Sequence, residues 1–203
     1  MANNDNTYAG DNGTEEIYLF GAQLEAGSFP TSYIKSNSGS TTTRSADVAS
    51  IPVADFGFNQ SERSVVISGF YFGSGVLPML DSSDVNERER LYYQTAEQFF
   101  VVDGGATQAN MGGASLSGVF NIAYVVKKDD FALVSSGVVR STDTSGTVPS
   151  ISTYKIGADL AGRFLNGHIK SIKYYPRRLT NAQLQDLTSV SYTHLTLPTK
   201  RIV

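Results

Sequence analysis

The stretch 165–188, LNGHIKSIKYYPRRLTNAQLQDLT, decides the fold. Residues 168–175, HIKSIKYY, read as a strand rich in β-branched and aromatic side chains, which Pro176 ends. Ile169 and Ile172 sit three apart and so break strict alternation. A bulge, or apolar cover on both faces, reconciles the spacing. After the basic corner Pro176-Arg177-Arg178, Thr180 is placed to N-cap a helix with Gln183 three residues on, a capping box. Leu179 and Leu184 have the spacing of a hydrophobic staple, and Leu184 and Leu187 then face the sheet. Every residue here has a structural task, so the stretch closes a fold; it is neither an active site nor a nucleic-acid patch.

Working outward from it, residues 51–164 form a series of short β-runs. They are 63–72 (RSVVISGFYF), 91–95 (LYYQT), 99–103 (FFVVD), 119–126 (VFNIAYVV), 131–135 (FALVS) and 153–157 (TYKIG). Between them Asp-Gly-Gly at 103–105, Met-Gly-Gly at 111–113 and Thr-Asp-Thr-Ser-Gly at 142–146 are turn formers that can supply φ > 0. Many short strands with almost no helical period predict an all-β antiparallel sandwich closed by one short C-terminal helix. Residues 35–50, rich in Ser, Thr and Gly and without period, read as a linker. Before it, residues 17–24 (IYLFGAQL) read as a strand apolar on both faces, with almost no neighbours to cover it. That is the expected signature of a domain cut through its middle.

The composition narrows the function. In 203 residues, 40% hydrophobic content supplies a core for one domain plus an appendage. A net charge of −3 weighs against nucleic acid, whose phosphates need surplus Lys and Arg. With no cysteine there are no disulfides, thiolate nucleophiles or sulfur-ligated zinc. No apolar run approaches the ~18–20 residues that span a bilayer, so membrane insertion is not expected. The opening MANNDNTYAGDNGTEE lacks the basic start and apolar run of a signal peptide.

Two stretches carry family resemblances. NGHIKSIKYYPRRLTNAQLQDLT resembles the closing strand-turn-helix of concanavalin A-like, laminin-G-type sandwiches, over the last quarter of residues 51–189. GAQLEAGSFPTSYIKSNSGSTTTRSADVAS, residues 21–50, is similar to a junction common in tailed-phage and prophage tail-fibre proteins. There it joins a carbohydrate-binding-module-like jelly roll to the next domain; Lys35-Ser36 and Arg44-Ser45-Ala46-Asp47 depart from the usual Pro-Thr and Thr-Arg-Ala-Ala-Asp. The resemblance implies a piece of a virion-surface protein: residues 1–34 a jelly-roll remnant, 35–50 a linker, 51–189 the concanavalin A-like sandwich. It implies a place on the phage tail or otherwise outside the cell. The partners it implies are a bacterial surface glycan, other virion tail proteins and, as in many fibres, a homotrimer. VSYTHLTLPT, residues 190–199, looks like the translated adapter of a sequencing library, so 190–203 is not expected to be native.

The chemical candidates are few. The glucanases of this fold class carry Glu-x-Asp-x-x-Glu, and no such string occurs. Glu87-Arg88-Glu89-Arg90 is the nearest acidic cluster and reads as a charged loop. His168, at a strand start, has no Ser and Asp arrangement to join. No catalytic residue and no metal ligand is therefore assigned, and the chain is not expected to be an enzyme. Calcium is raised by the resemblance, since laminin-G-type and lectin domains bind it through Asp and backbone oxygens. Asp81, Asp84, Asp103, Asp129 and Asp130 are available, but turn formation accounts for them and no loop spacing singles one out. For a glycan, tyrosine must serve as the stacking platform in the absence of Trp. Tyr92 and Tyr93 are consecutive on a strand, so one points in and one out. The outward one, with Asp81, Asp84 and Asn110 expected in nearby loops, is the candidate sugar site; core packing and ordinary surface exposure are the competing readings. The function expected is a non-catalytic tail-fibre module that binds bacterial surface carbohydrate for host recognition. The alternatives are a spacer or trimerisation module without ligand, and a glycan depolymerase.

Overall fold

The structure is a computed structural model that describes residues 48–115 and 118–189, together with 23–24, 33–35 and 41–42. It divides into two units, Met1–Ala46 and Asp47–Val203. All but the last two residues of the strand expected over 17–24 lie outside the described residues, as does the whole of 190–203.

Among its described residues the second unit has eleven strands, a 3-10 turn at Val53–Asp55 and one α-helix: β1 Ala49–Pro52, β2 Glu62–Tyr71, β3 Leu77–Ser82, β4 Arg88–Tyr93, β5 Glu97–Asp103, β6 Ala106–Gly112, β7 Val119–Lys127, β8 Phe131–Ser135, β9 Val138–Asp143, β10 Thr153–Ile156, β11 Gly167–Tyr175 and α1 Asn181–Thr188. They form two antiparallel sheets. Sheet A has the order β1-β10-β3-β4-β5-β6 and sheet B the order β11-β2-β7-β8-β9. Between them lies the main core, where Val65, Ile67 and Tyr71 of β2 join Leu80, Leu91 and Phe99. A second apolar layer covers the outer side of sheet B, where Val66, Ala123, Val125, Ala132 and Val134 meet Leu179 and Leu184. Strands β2, β7 and β8 are thus buried on both faces, which is why their sequences run apolar instead of alternating.

The closing segment does what its spacing predicts. The β11–β2 register shifts between Ile169 and Ser171, so Ile169 faces Gly69 and Ile172 faces Ile67 on the same side of the sheet. Gly69 is required there, because a Cβ would lie 2.1 Å from the His168 carbonyl oxygen. Thr180 Oγ1 accepts from the Gln183 amide at 3.2 Å and Gln183 Oε1 accepts from the Thr180 amide at 2.9 Å. The staple residues Leu179 and Leu184 are both buried.

Four strands were not anticipated. β3, LPMLDS, holds a proline inside a central strand, tolerated because the β3–β4 register shifts between Pro78 and Leu80. β6, ATQANMG, has weak strand character; it is folded back on β5 by Gly104 and Gly105, both at positive φ (58° and 77°) as a two-residue hairpin turn demands. Met111 and Gly112, read as part of a turn, complete that strand. β9 is an edge strand, and β1 includes Ala49 and Ser50 from the stretch read as linker.

Candidate functional site

β4 organises the chemistry of the molecule. The string expected to be a charged loop, Glu87-Arg88-Glu89-Arg90, is corrected: its last three residues begin β4, and the alternation of charge is strand alternation. Glu89, Leu91 and Tyr93 point inward and are buried, while Arg88, Arg90 and Tyr92 point outward and are half-buried.

Inward, Glu89 meets Arg63 of β2, and both side chains are fully buried. Arg63 Nε donates to Glu89 Oε1 at 2.7 Å, and its Nη2 bonds the same oxygen. Its Nη1 donates to the carbonyls of Asn59 at 3.2 Å and Gln60 at 3.0 Å. The Tyr154 hydroxyl donates to Glu89 Oε2 at 2.5 Å. Burial alone would lower the Arg63 pKa; the facing Glu89 carboxylate outweighs it and raises it. Burial, with the charge of Glu89 adding, pushes the Tyr124 and Tyr154 phenols well up. This cluster bonds the two sheets together and commits both oxygens of the Glu89 carboxylate to Arg63 and Tyr154. Sequence reading passed over Arg63, whose signal was its shared parity with Val65 and Ile67.

Outward, Asp81 lies beneath the loop that follows β10, with no solvent exposure. Its carboxylate accepts from Arg88 Nε at 2.8 Å and Nη2 at 2.6 Å, and from the Leu160 amide at 3.4 Å. Asp159 accepts from Arg90 Nη2 at 2.8 Å and Arg163 Nε at 2.7 Å. Burial would raise the Asp159 carboxyl, but the Arg163 amide and guanidinium outweigh it and hold it below the ordinary value. The Arg90 guanidinium lies over the Tyr92 ring, 4.0 Å from its centroid.

The structure unites three of the five expected site residues. Asp81, Arg90, Phe100 and Asn110 are successive register partners across β3, β4, β5 and β6, and Tyr92, Gln98 and Gly112 form the next row. Asp81, Tyr92 and Asn110 therefore share the outer face of sheet A. Tyr93 is on the opposite face, 8% exposed. Asp84 lies in the β3–β4 turn, where it accepts from the Asn86 amide at 2.8 Å, and most of β4 separates it from Tyr92. Two expectations are corrected. Asp81 and Asn110 are strand residues, not loop residues, and the Asp81 carboxylate is committed to arginine. The open part of the face is Tyr92, Gln98 and Phe100, half-buried, and Asn110, exposed. Gln98 and Phe100 were overlooked, although the parity of EQFFVVD places them outward.

The other candidates have structural partners. Asp103 bonds the Thr147 hydroxyl, and Asp129 accepts from the Gly146 amide at 3.0 Å. Asp130 holds Arg178 through two bonds of 2.8 Å, so the basic corner is pinned to the β7–β8 turn. Among the described residues, no three acidic or histidine side chains converge on one point. His168 is exposed on edge strand β11, its ring 4.8 Å from that of Phe70.

Cavities lined by described residues open on the sandwich. One, about 380 Å³ and apolar, lies between Ile51 and Ile156 of sheet A and Ile172 and Tyr174 of sheet B. Another, about 550 Å³, lies at one end beside Tyr71 and Tyr93. Neither has an Asp or Glu among its lining residues.

No protein-family model matches the chain, and no curated protein matches it. Solved structures do. The carbohydrate-binding module CBM40 of the Ruminococcus gnavus IT-sialidase, bound to α2,3-sialyllactose, superimposes with a TM-score of 0.56 at 13% identity, covering 65% of this chain and 84% of that one. The NanB sialidase of Streptococcus pneumoniae gives 0.57 at 13% identity, over 68% of this chain and 26% of that one. A pentraxin from Limulus polyphemus gives 0.50 at 13% identity, over 66% and 74%. The chain thus contains an all-β sandwich of the same fold as these structures.

Proposed function

We propose that this chain carries a non-catalytic glycan-binding module whose binding surface is the outer face of sheet A around Tyr92. One observation carries the reading: Tyr92 and Phe100 stand in adjacent rows with the amides of Gln98 and Asn110, on the sheet face that α1 does not cover. Sugar C–H faces stack on aromatic rings, and a side-chain amide offers both donor and acceptor to hydroxyls. The fold shared with a module that holds sialyllactose supports the same class of ligand. Glu89 and Asp81 are both locked to arginines, and neither of the cavities described above is lined by a carboxylate, which favours binding over hydrolysis by a carboxylate pair.

The junction at residues 21–50 extends the proposal. The module belongs to a phage or prophage tail fibre, works outside the cell on the virion beside other tail proteins, and recognises bacterial surface glycan. Several copies, as in a homotrimer, then turn weak sites into firm attachment. The test presents the full chain to an array of bacterial surface glycans, with and without calcium. Binding that Tyr92→Ala removes while the fold persists is the expected outcome. Silence from folded protein in its native oligomeric state would instead favour a spacer.

A further inference from the structure

The alternation that turns Tyr92 out turns Tyr93 in, and Tyr93 ends β4 at an open end of the sandwich. There the β2–β3 turn, the β4–β5 turn and Gly118 ahead of β7 surround the cavity of about 550 Å³. That volume lies within the ~300–1,000 Å³ of small-ligand sites. One wall is aromatic: the rings of Tyr71 and Tyr93 stack with centroids 4.6 Å apart. The Tyr93 hydroxyl donates to the Thr95 carbonyl at 3.3 Å and lies 3.5 Å from Ser115 Oγ. Ser74, Gln94 and Thr95 supply an exposed rim of neutral hydroxyl and amide groups. Gly73 and Gly118 hold left-handed backbone (φ 82° and 87°), positions that favour glycine and so put no side chain on the rim there.

The charge of the cavity is distinctive. No Lys or Arg lines it. The register partner of Tyr93 is Glu97, a buried carboxylate whose Oε2 accepts from the Ala114 amide at 2.7 Å and the Ser135 hydroxyl at 2.9 Å. An anionic ligand would find no counter-charge among the lining residues. A neutral ring with an apolar face and a hydroxylated edge suits a stacked tyrosine wall with a neutral polar rim.

We infer that this end cavity is a second binding site, separate from the Tyr92 face, for a single neutral sugar ring. The test is a ¹⁵N NMR titration of the full chain with D-glucose, D-galactose and N-acetyl-D-glucosamine, and with sialyllactose as the acidic comparison. The expected result is saturable shifts at the amides of Gly73, Ser74, Gln94, Thr95 and Gly118 with at least one neutral sugar. Ser74→Trp, an exposed substitution at the mouth, should weaken that binding at least about tenfold, the equivalent of ~1.4 kcal/mol. Thr95→Trp, on the opposite loop, should do the same and covers the case in which Ser74→Trp disturbs its turn. Tyr92→Ala should leave the shifts unchanged, so failure of the Tyr92 face and failure of this site are read separately. The inference is overturned if no neutral sugar moves these amides, if the affinity is unchanged in both folded Trp variants, or if sialyllactose binds there more tightly than the neutral sugars.

Discussion

Arg63 and Glu89 illustrate how one residue can be mistaken for another's neighbourhood. In sequence each sits in an ordinary setting, Arg63 ahead of an apolar run and Glu89 among alternating charges. In the structure they form a fully buried pair with carbonyls and a phenol completing their bonds. Removing one partner strands the other charge, so Arg63→Ala should cost about 3–5 kcal/mol, while replacing the pair together by apolar residues should cost much less. Denaturant titrations of the single and double variants check this; equal losses in both would contradict it. The buried phenols make a second prediction. Burial, with the Tyr93 hydroxyl adding, pushes Tyr71 from 10.0 up to about 12, and burial raises Tyr124 and Tyr154 as well. The folded state holds these protons more tightly than the unfolded chain does. The contribution of Tyr71 is complete below about pH 10 and is lost as pH rises through about 12, and the raised phenols of Tyr124 and Tyr154 act in the same direction. Tm should therefore fall from about pH 10 upward, with tyrosinate absorbance tracking unfolding; a Tm that stays flat to pH 12 would refute it.

Elements were legible where local chemistry decides them. The helix start at Thr180 rests on two reciprocal bonds within four residues, so the pattern was complete on the page. Thr180→Ala should cost about 1 kcal/mol, and Leu184→Ala, which empties a fully buried site under α1, about 2–5 kcal/mol. Both are read from thermal or denaturant unfolding, and neither should change glycan binding at the Tyr92 face. Gly69→Ala should destabilise more than its single methyl suggests, because the added carbon meets backbone across the β11 bulge. β3 and β6 were illegible for the opposite reason. A proline in β3 and weak strand formers in β6 argue against pairing, and only the neighbouring strands β10, β4 and β5 supply the bonds that hold them.

At the scale of the whole molecule, the two sheets have different outer faces. Sheet B is closed by Leu179 and Leu184, whereas sheet A presents an ion network and an aromatic strip. The proposed binding surface lies on one side of the sandwich, an arrangement that lets several copies engage one glycan surface. Presenting the chain multivalently on beads should raise apparent avidity for a glycan surface by about 10²–10⁴ over the free protein. Surface-binding measurements at matched chain concentration would show it, and no gain would mean that the faces cannot engage together.

The amino-acid sequence alone determined the class of fold, the closing strand and capped helix, and the opposed directions of Tyr92 and Tyr93, while the choice between a bulge and apolar cover on both faces at Ile169 and Ile172 was left to the structure. Each depends on periodicity or on bonds between near neighbours, which the order of residues contains. Only the tertiary structure decided which polar residues remain open to a ligand. Asp81 and Asn110 are about equally polar on paper, yet Asp81 falls beneath a loop that brings Leu160 to it, while Asn110 stays exposed on an edge strand. That difference is set by strand order and by a loop almost eighty residues away in sequence. Burial depends on what lies across space, and no local pattern of residue types encodes it.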